Sequence, residues 1–345
     1  MERKANIILH AVGGAGINIA NEVLEKYDFD NLANLEIYSL DSTDKTVQAY
    51  PYLEETFYLI RSEKRRNRGL DGSGGERKSP ELIKEYAANV KNYLDEFNLA
   101  EPRVENFHIV VHSGSGGTGS TAGALLIQEL IQAGNVVIPI TIIDNSSLLF
   151  TNNSIKTIES LENIANRNKV AMPVVIYNNT INGITNRSTE KEINEKVVTL
   201  MYLIGTALSG KIRNIDNEDM RKFLQPSLFK SIRVNNGIYE LGVKIGELDV
   251  DDAFLVRTLT TEDNEEDVVI KNPVLQAKTG FIIDDDLRSL FDRLPIHLFL
   301  RNESIFKLFE DLEKVYEELE QKTKQKRRTL RSSRNTEEDD TGLVL

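Results

Sequence analysis

Short runs in which nearly every position is apolar alternate, through the first half of the chain, with longer stretches whose apolar residues recur every three or four positions. The runs fall at 5–12, 35–40, 107–113, 136–143 and 173–178, and the helical stretches near 16–26, 80–97, 119–133 and 154–167. Strands apolar on both sides, separated by helices, belong in a parallel sheet covered on both faces. The pattern therefore predicts an α/β fold with a Rossmann-type parallel sheet. In such sheets ligands bind beyond the carboxyl ends of the strands.

From Glu190 to Gly210 the sequence EKEINEKVVTLMYLIGTALSG predicts one long helix that crosses this domain or links it to the next. Beyond it, SIRVNNGIYELGVKIGEL and PIHLFLRN are strand-like runs between acidic loops, the pattern of a smaller mixed α/β domain. The expected organisation is a nucleotide-binding domain over 1–189 and a core helix over 190–210. A loop with its following helix occupies 211–229, the second domain 230–301 and a charged helix 302–328. Residues 329–345, poor in aromatics, form an acidic-ended tail expected to be flexible when alone.

Composition narrows the chemistry. A length of 345 residues suits two domains and a tail, and a net charge of -12 argues against a general nucleic-acid surface. With no cysteine, disulfides, thiolate metal sites and cysteine nucleophiles are excluded, which fits a reducing cytoplasm. The four histidines, His10, His108, His112 and His297, show no metal-ligand spacing. No apolar stretch approaches the roughly 20 residues of a membrane span, so a soluble intracellular protein without membrane insertion is expected.

Glycine marks the strand ends. The 107–113 run leads into Gly114, Ser115, Gly116, Gly117, Thr118, Gly119 and Ser120, and then into an alanine-rich helix. Backbone N–H groups in such a turn approach an anion closely, and the helix dipole favours negative charge there. Ser115, Thr118 and Ser120 add hydroxyl groups, more than a tight turn needs. The first strand ends in the same way at Gly13, Gly14, Ala15 and Gly16, with Asn18 on the first helical turn. The second ends in SLDSTDK, which leaves Asp41, Ser42, Thr43 and Asp44 at the same edge. A third loop, NRGLDGSGGERK, carries Gly69, Gly72, Ser73, Gly74 and Gly75. Three glycine-rich turns on one edge fit a nucleotide with several phosphates. A dinucleotide-binding oxidoreductase would need one such loop with an acidic residue such as Asp41, and the lysine-bearing P-loop motif is absent.

Asn214, Asp216 and Asp219 follow the long helix at the start of another. Two roles compete for the carboxylates. They could orient and polarise a water, or Asp216 could cap the helix with Asp219 completing a capping box. Asn178, Asn179 and Asn194 are each either base contacts or ordinary turn and first-turn residues.

Taken in order, Ser115-Gly116-Gly117-Thr118-Gly119-Ser120, the first glycine loop with Asn18, the DSTD loop, the RGLDGSGG loop and the helix bearing Asn194 resemble the tubulin and FtsZ superfamily of GTPases. Thr121 stands where that family has a further glycine. Within the superfamily the chain looks most like the phage-encoded tubulins of the PhuZ group. The resemblance implies GTP or GDP held between two subunits stacked head to tail, with Mg²⁺ bound through the nucleotide phosphates. It assigns Gly13, Gly14, Ala15, Gly16, Asn18, Asp41, Thr43, Gly72, Ser73, Gly74, Gly75, residues 115–120, Asn178 and Asn194 to the nucleotide. Asp216 and Asp219, with Asn214, would act on the neighbouring subunit's nucleotide. The resemblance also implies filaments in the host bacterial cytoplasm that position phage DNA or its compartment; a plasmid or prophage partition filament is the alternative.

The last segment has a basic run, Lys322, Lys324, Lys326, Arg327, Arg328, Arg331 and Arg334, then Glu337, Glu338, Asp339 and Asp340, and ends in Leu343, Val344 and Leu345. By resemblance it would clasp the adjacent subunit, with the basic stretch from Arg61 to Arg68 as acceptor. Alternatively, the basic residues bind DNA or a DNA-associated adaptor.

Overall fold

β1 (Asn6–Val12) is the strand around which the rest is arranged. In this computed structural model residues 4–63, 80–180, 184, 187–228, 234–272, 274–291 and 294–338 are described. The third glycine loop, with Gly69, Gly72, Ser73, Gly74 and Gly75, and the terminal residues 339–345 lie outside them.

From β1 the chain forms α1 (Gly13–Lys26), then β2 (Asn34–Asp41) and β3 (Phe57–Leu59) on one side. It returns through α2 (Pro80–Glu96) to place β4 (Asn106–Ser113) on the other side of β1. The helices α3 (Gly117–Gln132) and α4 (Leu148–Asn168) then connect β5 (Val136–Ile143) and β6 (Ala171–Asn178) outward in sequence. All these strands are parallel and run in the order β3-β2-β1-β4-β5-β6. The direction of progression reverses between β1 and β4, so a crevice opens beyond their carboxyl ends. Register aligns those ends: Val12 lies beside both Leu40 and His112.

The apolar strand pattern has its cause in two cores, one on each face. Ile7, Leu9, Ile109, Val111 and Ile138 pack with Ile17, Val23, Val197, Met201 and Ile204 of the helices on one side. Ile8, Val110, Val137 and Val174 pack with Tyr86, Val90, Leu126, Ile127, Ile158 and Leu161 on the other. α4 begins six residues earlier than the expected 154, because Ser147 accepts the Phe150 N–H as an N-cap.

The long helix α5 (Arg187–Ala207) crosses beneath the sheet and ends at a turn containing Gly210. β7 (Ile212–Arg213) and α6 (Asn217–Leu224) follow. The remainder comprises β8 (Gly237–Ile245), β9 (Ala253–Thr260), β10 (Gln276–Ile282), α7 (Asp285–Phe291) and β11 (Ile296–Arg301). This is the expected mixed second half, but it is not a detached layer. β8 pairs in parallel with β6 from Ala171↔Gly237 to Val174↔Glu240, which makes one continuous sheet, continued as β8-β11-β9-β10-β7.

The charged helix α8 (Glu303–Glu338) packs on α4 and runs past the expected end at 328. Its sequence explains the extension. Between 303 and 338 there is no glycine or proline, and Lys, Arg, Gln and Glu are good helix formers. The basic run and Glu337 and Glu338 are therefore helical backbone rather than a free tail.

Candidate functional site

The two glycine loops on the switch point touch. Gly13 has φ +72°, a left-handed conformation, and a side chain there would come within 3.2 Å of the Gly119 nitrogen. Gly16 is buried where any Cβ would lie 2.5 Å from the Val111 carbonyl, so its lack of a side chain lets α1 pack closely onto β4. Across the crevice Ser42 Oγ and Thr118 Oγ1 are 2.7 Å apart, which joins the DSTD loop to the 114–120 loop.

Neither helix that opens here is capped by a side chain. α1 starts after Val12 and α3 after Gly116, with no acidic residue in either first turn. By contrast α4 and α6 both carry side-chain caps. The uncapped N–H groups of Gly13 to Gly16 and Gly117 to Ser120 thus face the crevice with their dipoles, a setting for phosphate oxygens. The loop is held from behind. Gly114 N–H donates to Ile142 O at 2.7 Å, Gly116 N–H to Ser113 Oγ at 2.9 Å, Asn153 Nδ2 to Ser115 O at 2.9 Å and Thr157 Oγ1 to Gly114 O at 2.8 Å. Ser120 Oγ donates to Gly117 O at 3.2 Å. Asp41 is buried and accepts the Ser42 N–H at 2.6 Å, while Thr43 Oγ1 accepts the Lys45 N–H, so both residues shape their own loop.

Beside α1 lies a recess of about 120 Å³, lined by Ala15, Asn18, Asn179, Glu190 and Asn194 together with Ile19, Ile142 and Ile193. Apolar walls with carboxamides and one carboxylate suit a flat heterocycle with donors and acceptors on its edge. Asn18 Oδ1 accepts from Tyr50 OH at 3.3 Å, and Asn194 Nδ2 donates to Glu22 Oε1 at 2.6 Å. Asn179 Oδ1 is buried with no partner among the described residues. Asn178, expected at the base, instead ends β6 opposite Ile143, and its Oδ1 accepts the Thr180 N–H at 3.1 Å. Its neighbour Asn179 lines the recess. Thr180 Oγ1 in turn donates to Asp144 Oδ1 at 3.1 Å, and Asp144 Oδ1 also accepts the Ser146 N–H at 2.7 Å, which fixes the loops after β5 and β6 together.

Asn214, Asp216 and Asp219 sit elsewhere. Leu208, just after α5, accepts the Ala5 N–H at 3.2 Å ahead of β1. Lys211 Nζ donates to Asn31 Oδ1 at 2.6 Å ahead of β2, and Arg221 Nη1 to Val104 O at 3.3 Å ahead of β4. The segment therefore lies at the amino ends of the strands, whereas the glycine loops lie at the carboxyl ends. Strands of seven and eight residues separate the two edges by about 25 Å. Asn214 is exposed with φ +73°, a conformation asparagine tolerates.

The capping box foreseen for α6 is present. Asp219 N–H donates to Asp216 Oδ1 at 2.7 Å, and Asp216 N–H to Asp219 Oδ2 at 3.2 Å. Ile215, Met220, Phe223 and Leu224 are buried, which turns the acidic side chains outward. Burial pushes the Asp219 carboxyl upward, but the Lys278 ammonium and the Asp216 N–H outweigh it and hold it below the ordinary carboxylate range. Among the described residues no group of three or more His, Asp or Glu side chains is placed to hold a metal ion.

Asn179 is among the base contacts that the sequence offers, whereas Glu190 is not. Glu190 opens a helix full of surface charge, and only the recess distinguishes it. The supporting Ser113, Asn153 and Thr157 carry no local signal at all.

Comparison with known proteins bears on the glycine-loop edge and on the fold. Residues 6–186 match the family model "Tubulin/FtsZ family, GTPase domain". A phage tubulin-like protein of Pseudomonas phage PhiPA3 is 26% identical over 190 residues, 55% of this chain and 52% of that protein. The chain thus matches about half the length of that relative. A TubZ protofilament from bacteriophage PhiKZ superposes with a TM-score of 0.74 at 20% identity, covering 92% of this chain and 91% of that one. The phage tubulin PhuZ with GDP gives 0.73 at 19% identity, covering 92% of each chain.

Proposed function

Since the chain belongs to the tubulin/FtsZ family and carries its GTPase domain, we propose that it hydrolyses GTP at the contact between copies stacked head to tail into a filament. The observation that carries this reading is the placement of the uncapped glycine loops and the acidic segment on opposite edges of one sheet. A single molecule has no route to bring them together. A second copy stacked on the first does. That contact is heterologous, and where its rotation does not close it grows an open filament.

In this reading the first-turn N–H groups of α1 and α3 hold the phosphates, and Thr118 and Ser115 supply hydroxyl donors. Asn18, Asn179, Asn194 and Glu190 read the guanine edge. Asp216 and Asp219 of the next subunit orient the attacking water, and Asn214 presents the segment. Mg²⁺, carried on the phosphates, neutralises charge on the leaving group. The PhiKZ protein is described as a protofilament, and that assembly is carried to this chain as part of the proposal. The filament would position phage DNA or a phage compartment in the infected bacterium. The basic run from Lys322 to Arg334 favours a second reading, a partition filament that works with a DNA-associated partner.

The test is turnover against concentration. GTP hydrolysis should be negligible in dilute protein and rise steeply above the concentration at which light scattering reports polymer. GTP and GDP should bind, and NAD should not. Hydrolysis strictly proportional to protein down to the lowest concentrations would place a whole active centre in each copy and end the proposal.

A further inference from the structure

The acidic segment is gripped by two cations that come from the far edge of the sheet. Lys278 on β10 places its ammonium 2.5 Å from Asp219 Oδ2, the same oxygen that accepts the Asp216 N–H. Under the helix, Arg257 on β9 is 1% exposed. Its Nη1 donates to Val256 O and its Nη2 to Gln276 Oε1, both at 2.9 Å, and Nη2 lies 3.5 Å from the Asp219 carbonyl. Its guanidinium covers the Phe223 ring of α6 at 5.3 Å. β10 also pairs with β7 through Phe281↔Arg213 and Ile282↔Ile212, and β7 leads directly into Asn214. β9 and β10 thus supply the charges, and β10 with β7 the backbone rail.

The Lys278 side chain is 40% exposed, and an ion pair of that exposure contributes little to folding. Its consequence lies in what it does to Asp219. A carboxylate that orients water must be charged and must keep one oxygen in a fixed direction. We propose that Lys278 is a positioning residue for GTP hydrolysis, pinning Asp219 through one oxygen so that the other faces the neighbouring subunit, while Arg257 fixes the helix beneath. The proposal rests on the role given to Asp219 above. Among the described residues the ionisable groups facing Asp219 are Asp216 at the start of its own helix, Lys278 from β10 and Arg257 from β9; β5, which also packs on α6, has none. Burial draws the Arg257 guanidinium down to about 10, still cationic at neutral pH. With Lys278 neutral, the main cation on the Asp219 carboxyl is gone, and its protonation moves to higher pH.

Lys278→Gln should lower turnover per polymerised subunit about tenfold, with GTP affinity and the threshold concentration for assembly unchanged. The acid limb of its pH profile should move upward. Lys278→Arg, which keeps the charge, should restore most of the rate and the profile. Combined with Asp219→Asn, Lys278→Gln should add no further loss. A Lys278→Gln protein with unaltered turnover and pH profile overturns the proposal. So does one whose only defect is a raised assembly threshold, since that makes Lys278 an interface residue. If Asp219→Asn itself hydrolyses GTP normally, the fault lies in the role assigned to Asp219.

Discussion

Replacing Asp216 once with asparagine and once with alanine separates the cap its carboxylate provides from the catalytic role proposed for it. As a cap, Asp216 Oδ1 takes the Asp219 N–H at 2.7 Å. α6 is only eight residues long and cannot sustain itself without such help. Losing an aspartate N-cap to alanine costs about 1 kcal/mol, whereas asparagine caps almost as well. A cost of about 1 kcal/mol changes a local opening equilibrium about fivefold. Amide exchange at Asp219 and Met220 should therefore quicken about fivefold in Asp216→Ala and stay near the parent in Asp216→Asn. Turnover should behave differently. Both variants lack the charge proposed to orient water, so both should hydrolyse GTP ~10²- to 10⁴-fold more slowly while binding it normally, and their filaments should persist. Exchange read by mass spectrometry and phosphate release from sedimented polymer give the two quantities on one sample. An asparagine variant with the parent's turnover would reduce Asp216 to a cap. Lost nucleotide affinity in either variant would mean that the segment belongs to its own molecule's pocket.

Further outcomes follow from other parts of the molecule. Glu190→Gln should weaken GTP binding about tenfold or more and shrink the preference of GTP over inosine triphosphate, which lacks the 2-amino group, as read by calorimetry; an unchanged preference removes Glu190 from base recognition. Cutting the chain after Arg334 should raise the concentration needed for filaments, and unchanged pelleting and electron micrographs would refute the clasp. Burial lowers His10 well below its ordinary 6.5, with His108 adding to the effect, and lowers His108 to about 4. The folded chain then binds fewer protons than the unfolded one, so stability is full above about pH 6.5 and declines as pH falls toward the folded values. Urea unfolding midpoints should drop from about pH 7.5 to about pH 5, less so in His108→Gln; a flat midpoint would refute this.

The strands and helices of the first half were legible because each is apolar on the faces that the two cores require. The glycine loops were legible for a different reason: residues 114–119 and 13–16 carry more glycine, and 114–119 more hydroxyl, than a tight turn needs. The capping box could also be read, since Asp216 and Asp219 are three apart. Long-range facts were not legible. The join of β6 to β8 is a short parallel pairing between segments more than sixty residues apart, and no local pattern announces it. Asn178 and Asn179 are alike as letters; which one faces the recess is decided by where β6 ends and where the Thr180 N–H points. The Lys278 and Arg257 grip on Asp219 joins three separate elements, and in sequence both cations look like ordinary strand residues. The run of α8 past 328 was masked by its charge pattern, which looks like a solvated tail until the absence of helix breakers is weighed.

If GTP is hydrolysed between stacked copies as proposed, the opposite-edge placement sets a counting rule for a head-to-tail assembly of this chain. In such an open stack every junction would be a working centre, so there would always be one fewer than there are members. The member at one end keeps a loaded pocket with nothing to discharge it, and the member at the other presents bare carboxylates. Growth at the first end covers an intact triphosphate, and loss from it uncovers whatever the junction has already consumed. The two tips of such a fibre are chemically unlike from the moment two copies meet.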